Sequence, residues 1–131
     1  MRMGARILYI EDNYQNFRLL MRMLSAENNG YEVYHAPDGR SGLAMAGELA
    51  PDLIFVDISL PDIDGVEVTH RLKESPESSH VPIVALTANA MVGDREKYLA
   101  SGCDGYLPKP LTRASLREAL AEFLPGVRNS S

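Results

Sequence analysis

The chain is poor in cysteine, in clustered positive charge and in long apolar runs. Its 131 residues include one cysteine, Cys103, so no internal disulfide can form. That fits a reducing compartment. No stretch reaches the roughly 18 consecutive apolar residues a membrane-spanning helix needs, and the first residues lack a signal-peptide pattern. The expected location is therefore the cytoplasm, away from membranes. Thirteen Lys and Arg stand against eighteen Asp and Glu, a net charge of -5, and the basic residues are scattered. Attraction to nucleic acid or anionic lipid is not favoured. Internal repeats and low-complexity linkers are also missing.

What remains suits one globular domain, with 45% hydrophobic and 24% charged residues. The expected domain covers 1–126, with a flexible tail at 127–131. The Met1 start and short tail favour a stand-alone protein.

Five short apolar runs alternate with five helical patterns. The runs are 7–10 (ILYI), 31–35 (YEVYH), 53–56 (LIFV), 83–86 (IVAL) and about 105–107 (GYL), bounded by Gly, Pro or Asp, and they read as strands. In the first helical segment Phe17, Leu20, Met21 and Leu24 recur at i, i+3, i+4, i+7, one apolar face. Gly30 follows, where a chain leaves a helix. Asp38 can cap a second helix bearing Leu43, Ala46 and Ala50. Asp64 and Glu67 have capping-box spacing before a third, bearing Val68 and Leu72. A fourth, about 91–101, is weak, since Gly93 interrupts it and Asp94-Arg95-Glu96-Lys97 solvates it. Thr112 can cap a fifth carrying Leu116, Ala119, Leu120 and Phe123.

Strict β-α alternation predicts an α/β fold with a parallel sheet covered by helices on both faces. The near-continuous apolar runs one, three and four should be central, and runs two and five should be edges. Right-handed crossovers then favour a doubly wound (βα)5 sheet of order 2-1-3-4-5, which is flavodoxin-like. Helical segments one and five would cover one face, and two, three and four the other.

That topology gives the acid at the end of the third run a purpose. Run one leads into Glu11-Asp12-Asn13, run three into Asp57, run four into Thr87, and run five is followed by Lys109-Pro110. In a parallel sheet every one of these lies on the same edge, where such folds bind ligands. Each residue alone could be an ordinary cap, strand end or surface charge; together they crowd three carboxylates, a hydroxyl and an ammonium. Two like charges ~4 Å apart at an effective dielectric near 20 repel by about 4 kcal/mol. An all-oxygen acidic cluster suits a hard divalent cation such as Mg²⁺. With a lysine and a hydroxyl beside it, an aspartate nucleophile can accept a phosphoryl group.

The sequence resembles the response-regulator receiver domain of two-component signalling over about 6–124. The resemblance rests on Glu11-Asp12, on Asp57-Ile58-Ser59-Leu60-Pro61-Asp62-Ile63-Asp64-Gly65, on Thr87-Ala88, and on Tyr106-Leu107-Pro108-Lys109-Pro110. It implies that Asp57 takes a phosphoryl group from a histidine kinase or a histidine phosphotransfer protein. It implies Mg²⁺, with Mn²⁺ able to substitute, held by Asp12, Asp57 and the carbonyl of Ser59, with Glu11 helping through water. Thr87 and Lys109 would bind phosphoryl oxygens, and the Lys109-Pro110 peptide would be cis. Tyr106 would act with Thr87 as a switch, coupling the site to a partner-binding face at 88–124 built from the fourth and fifth helical segments and the fifth strand. A homodimer formed on phosphorylation is a further implied state. Ser59 and Asn89 would flank the cleft mouth. The local pattern is similar both to single-domain regulators and to receivers fused to hybrid histidine kinases.

The remaining candidates are bland. His35, His70 and His80 lack metal spacing, Cys103 reads as buried filler, and the methionines read as core. An aspartate-nucleophile phosphatase of the haloacid dehalogenase type is the alternative. It expects Asp-x-Asp after the first strand and a cap insertion, where this chain has Glu11-Asp12-Asn13 and no room for a cap. A flavin carrier would need a Ser/Thr/Gly-rich phosphate loop, and a mere docking surface would not need the full residue set.

Overall fold

The computed structural model describes residues 5–27, 30–88, 96 and 99–124. Five strands, β1 (Arg6–Ile10), β2 (Glu32–Ala36), β3 (Leu53–Asp57), β4 (Ile83–Thr87) and β5 (Gly105–Pro108), form one sheet of order 2-1-3-4-5. Every neighbouring pair is parallel. The helices whose full bounds fall among the described residues are α1 (Tyr14–Glu27), α2 (Gly39–Leu49), α3 (Gly65–Glu74) and a C-terminal helix (Arg113–Phe123). This is the doubly wound, flavodoxin-like architecture the alternating runs predict.

Burial follows position in the sheet. β3 and β4 are buried at every residue, and β1 at all but Arg6, because helices cover both of their faces. β2 and β5 are only half-buried along most of their length, as edges are. Alternate strand residues feed two cores. Ile7, Tyr9, Leu53, Phe55, Val84 and Leu86 pack under Phe17, Leu20 and Leu24 of α1 and Leu116, Ala119 and Leu120 of the C-terminal helix. Leu8, Ile10, Ile54, Val56 and Ile83 pack under Ala46 of α2 and Val68 and Leu72 of α3.

Three local expectations change. Met21 is 42% exposed, so the buried stripe of α1 is Phe17, Leu20 and Leu24 with Met23 partly packed beside it. Ala50 is the left-handed C-cap of α2, at φ 51°, and does not extend its apolar face. Pro51 disfavours helical geometry at the residue before it, which stops the helix there. Asp64 caps α3 by accepting from the Val66 N–H at 2.8 Å, but Glu67 turns to Arg71 at 2.9 Å, one turn on. The reciprocal capping box occurs at the C-terminal helix, between Thr112 and Ser115. Asp38 does cap α2, accepting from Ser41 N–H at 2.8 Å.

Most of the fourth helical segment, together with Asn89 and the tail at 127–131, lies outside the described residues; Glu96, Leu99 and Ala100 are helical.

Candidate functional site

The strand register carries the polar residues to one rim. Ile10 of β1 lies beside Val56 of β3, so Glu11 and Asp12 emerge next to Asp57. Asp57 pairs with Leu86 and Thr87 with Pro108, which brings the ends of β4 and β5 alongside. Carboxylate oxygens of Glu11, Asp12 and Asp57 all lie within 4.8 Å of one another. Lys109 reaches back over them. Its Nζ is 3.1 Å from Glu11 Oε1 and 3.4 Å from Asp57 Oδ2. The Lys109 N–H donates to the Thr87 carbonyl at 2.8 Å, tying the lysine to the end of β4, and the Lys109-Pro110 peptide is cis.

The acids differ in setting. Glu11 and Asp57 are 1% and 3% exposed, whereas Asp12 is open to solvent. Asp57 Oδ1 accepts from the Ser59 N–H at 3.1 Å, and its Oδ2 faces Lys109. Thr87 is buried at the end of β4. Tyr106 is half-buried on β5, in register with Ala85, and packs with Leu99 against the Ala85–Cys103 cluster. Cys103 is buried there, and burial raises its pKa.

Charge pairing outweighs burial at Lys109. Burial alone would lower its pKa, but the hydrogen bond to Glu11 and the charge of Asp57 raise it overall, so the ammonium persists. An oxygen-only donor set of this spacing fits a hard divalent cation. Asp12 offers the exposed carboxylate, Asp57 a buried one, and Glu11 completes the group. Both Glu11 oxygens already accept from protein donors.

Several residues that shape the site carry no motif. Tyr9 donates its hydroxyl to Glu11 Oε1 at 3.0 Å, and Asn16 Nδ2 donates to the same oxygen at 3.3 Å. Burial, then the nearby Glu11 charge and hydrogen bond, push the Tyr9 phenol far above its ordinary range, so it remains a donor. His35 Nε2 lies 2.6 Å from the Glu11 carbonyl oxygen, which can only accept, so this nitrogen carries a proton. Its ring stacks on Phe17 at 4.5 Å. Asp62, in the loop after β3, accepts from the Gly39 and Arg40 N–H groups at 2.8 and 3.0 Å. It thereby ties the Asp57 loop to the start of α2. The i, i+2 spacing of Tyr9 and Glu11 was a usable signal, and Asn16 is only five residues on; the His35 and Asp62 contacts depend on chain crossings. His70 sits on the surface beside Glu74 at 3.3 Å.

Comparison with known proteins places the chain in a family. The family model for the response regulator receiver domain matches residues 7–121. The polar-differentiation response regulator DivK of Brucella anthropi is 38% identical over 122 residues, covering 93% of this chain and 98% of the relative. The receiver domain of sensor histidine kinase PA1611 from Pseudomonas aeruginosa, solved with a magnesium ion in its active site cleft, is 37% identical. It covers 94% of this chain and 99% of its own, at a TM-score of 0.83. The chemotaxis protein CheY4 of Vibrio cholerae is 28% identical, covering 92% of this chain and 98% of its own, also at 0.83. Among the described residues no helix is long and apolar enough to cross a membrane. The chain belongs to the response regulator receiver domain family of two-component signalling.

Proposed function

We propose that this chain takes a phosphoryl group onto Asp57 from a phosphohistidine of a histidine kinase or a histidine phosphotransfer protein, and signals by protein binding. The observation that carries the reading is the meeting of Glu11, Asp12 and Asp57 within 4.8 Å under the Lys109 ammonium. An Asp57 carboxylate oxygen attacks phosphorus. The O–P bond forms as the donor's N–P bond breaks, and that electron pair returns to an imidazole protonated on its other nitrogen. Lys109 and the Thr87 hydroxyl bind phosphoryl oxygens, and the Ser59 N–H holds Asp57 in place. Asp12, Asp57 and the Ser59 carbonyl would hold Mg²⁺, with Glu11 acting through water. What Mg²⁺ supplies when bound is charge neutralisation for the acids and the phosphoryl oxygens.

Output then passes through Thr87 and Tyr106 to the face at 88–124. Tyr106 lies on half-buried β5, where a ring can exchange environments at little packing cost. The domain spans 1–126, and the cytoplasm is its place of action.

Incubation with acetyl phosphate and Mg²⁺ should yield one acid-stable, base-labile phosphoryl group, and Asp57→Asn should abolish it. Labelling that persists in Asp57→Asn would place the acceptor elsewhere, and repeated turnover of phosphate monoesters would favour a phosphatase.

A further inference from the structure

Glu11 is a buried carboxylate whose satisfaction depends on a shared oxygen. Tyr9 OH at 3.0 Å, Asn16 Nδ2 at 3.3 Å and Lys109 Nζ at 3.1 Å converge on Oε1, while the Asn13 N–H reaches Oε2 at 3.2 Å. Only the lysine among these donors is charged, and it also contacts Asp57 Oδ2 at 3.4 Å. In the phosphoryl transfer proposed above, the incoming oxygens would draw the ammonium away from Glu11. A carboxylate that is 1% exposed has no bulk-water donor to replace the lysine when that happens, beyond the one water it would share with Mg²⁺. Losing a cationic donor there leaves a desolvated charge unless other donors stay behind.

Two donors are built to stay. Tyr9 is fully buried and its ring meets Phe55 edge-on at 6.1 Å, so the hydroxyl is held by core packing rather than by the site. Asn16 is anchored in the first turn of α1, where its N–H bonds back to the Asn13 side chain at 3.2 Å. Both donate to Glu11 and neither donates to Asp57, so neither competes for the phosphoryl group.

We propose that Tyr9 and Asn16 are positioning residues that hold Glu11 Oε1 and so free Lys109 to move to the phosphoryl oxygens. The inference rests on the phosphoacceptor reading of Asp57. Without the phenol hydroxyl, Glu11 leans harder on Lys109, and the lysine leaves it more slowly.

Tyr9→Phe deletes one oxygen and keeps the ring. With acetyl phosphate at saturating Mg²⁺, Tyr9→Phe should be labelled roughly tenfold more slowly than the wild-type chain, the scale of one hydrogen bond to a charged group. Asn16→Ala should slow labelling in the same direction. A second arm needs neither Mg²⁺ nor phosphate. In urea denaturation of the metal-free chain, Tyr9→Phe combined with Lys109→Met should lower stability by more than the sum of the single changes, because both donors serve one oxygen. A labelled wild type with Tyr9→Phe within about twofold of its rate, or strictly additive urea effects, overturns this inference. An unlabelled wild type instead overturns the phosphoacceptor reading, whatever the variants do.

Discussion

Gly65 opens α3 against the backbone of Asp57: a Cβ at position 65 would stand 2.5 Å from the Asp57 carbonyl oxygen and 2.6 Å from Ile58 Cα. The Gly65 N–H also donates to the Ile58 carbonyl at 3.0 Å. The start of the helix and the end of β3 are thus locked together, and the Asp57 backbone cannot shift without moving the helix. Gly65→Ala should therefore cost about 1–3 kcal/mol, as overpacking against a rigid neighbour does. It should also reduce phosphorylation of Asp57. Urea denaturation beside acetyl phosphate labelling checks both; an unchanged midpoint would mean that the contact yields without cost.

The acidic trio makes a prediction about Mg²⁺. Added Mg²⁺ should raise the thermal midpoint, since it binds the folded arrangement and relieves repulsion; at a concentration 100 times the dissociation constant, such linkage supplies about 2.7 kcal/mol. Asp12→Asn should abolish that response. In chelator, the same variant should be more stable than the wild-type chain, because one of three close charges is gone. Thermal scans with and without Mg²⁺ decide it. Equal Mg²⁺ responses in the two proteins would exclude Asp12 from the metal site.

Asp62 should leave a signature in acid. Burial alone would raise its pKa, but N–H donors from Gly39, Arg40 and Ile63 outweigh that and hold the carboxyl below the ordinary range. A depressed folded pKa contributes stability above the unfolded value, near 3.8, and loses it as pH falls through the lower folded value. The wild-type advantage over Asp62→Asn should accordingly be constant near neutrality and shrink below about pH 4. Paired thermal melts across this range test it, and a gap that widens on acidification would reverse the assignment.

Ala50 offers a stabilising change. It holds φ 51° and ψ 60° at the end of α2, a left-handed conformation that costs a residue bearing a Cβ roughly 1–2 kcal/mol. Glycine relieves that strain but loses more backbone entropy on folding, so Ala50→Gly should gain a net ~1 kcal/mol or less. A lower urea midpoint would show that the methyl group contributes packing that outweighs the strain.

Much of this molecule is local in origin. The runs at Arg6–Ile10, Leu53–Asp57 and Ile83–Thr87 are strands because their side chains are apolar on both faces. Alternation with helices dictates parallel pairing and the 2-1-3-4-5 order. Once all strands point one way, Glu11, Asp12, Asp57, Thr87 and Lys109 must share a rim, and no contact need be known to place them there. Helix faces were less legible. Met21 fits the apolar period as well as Leu20 does, yet only one of them meets the sheet, because the rotation of α1 is set by its packing partners.

The sequence alone determined the layers, the strand order and the edge on which the acids stand, since periodicity and alternation are properties of neighbouring residues. Tertiary structure decided which atoms meet: three donors on one Glu11 oxygen, His35 on the carbonyl of Glu11, and Asp62 at the head of α2. The Lys109, His35 and Asp62 contacts join separate segments over a few ångströms, and only the packed register of strands and helices brings those side chains to within hydrogen-bonding distance.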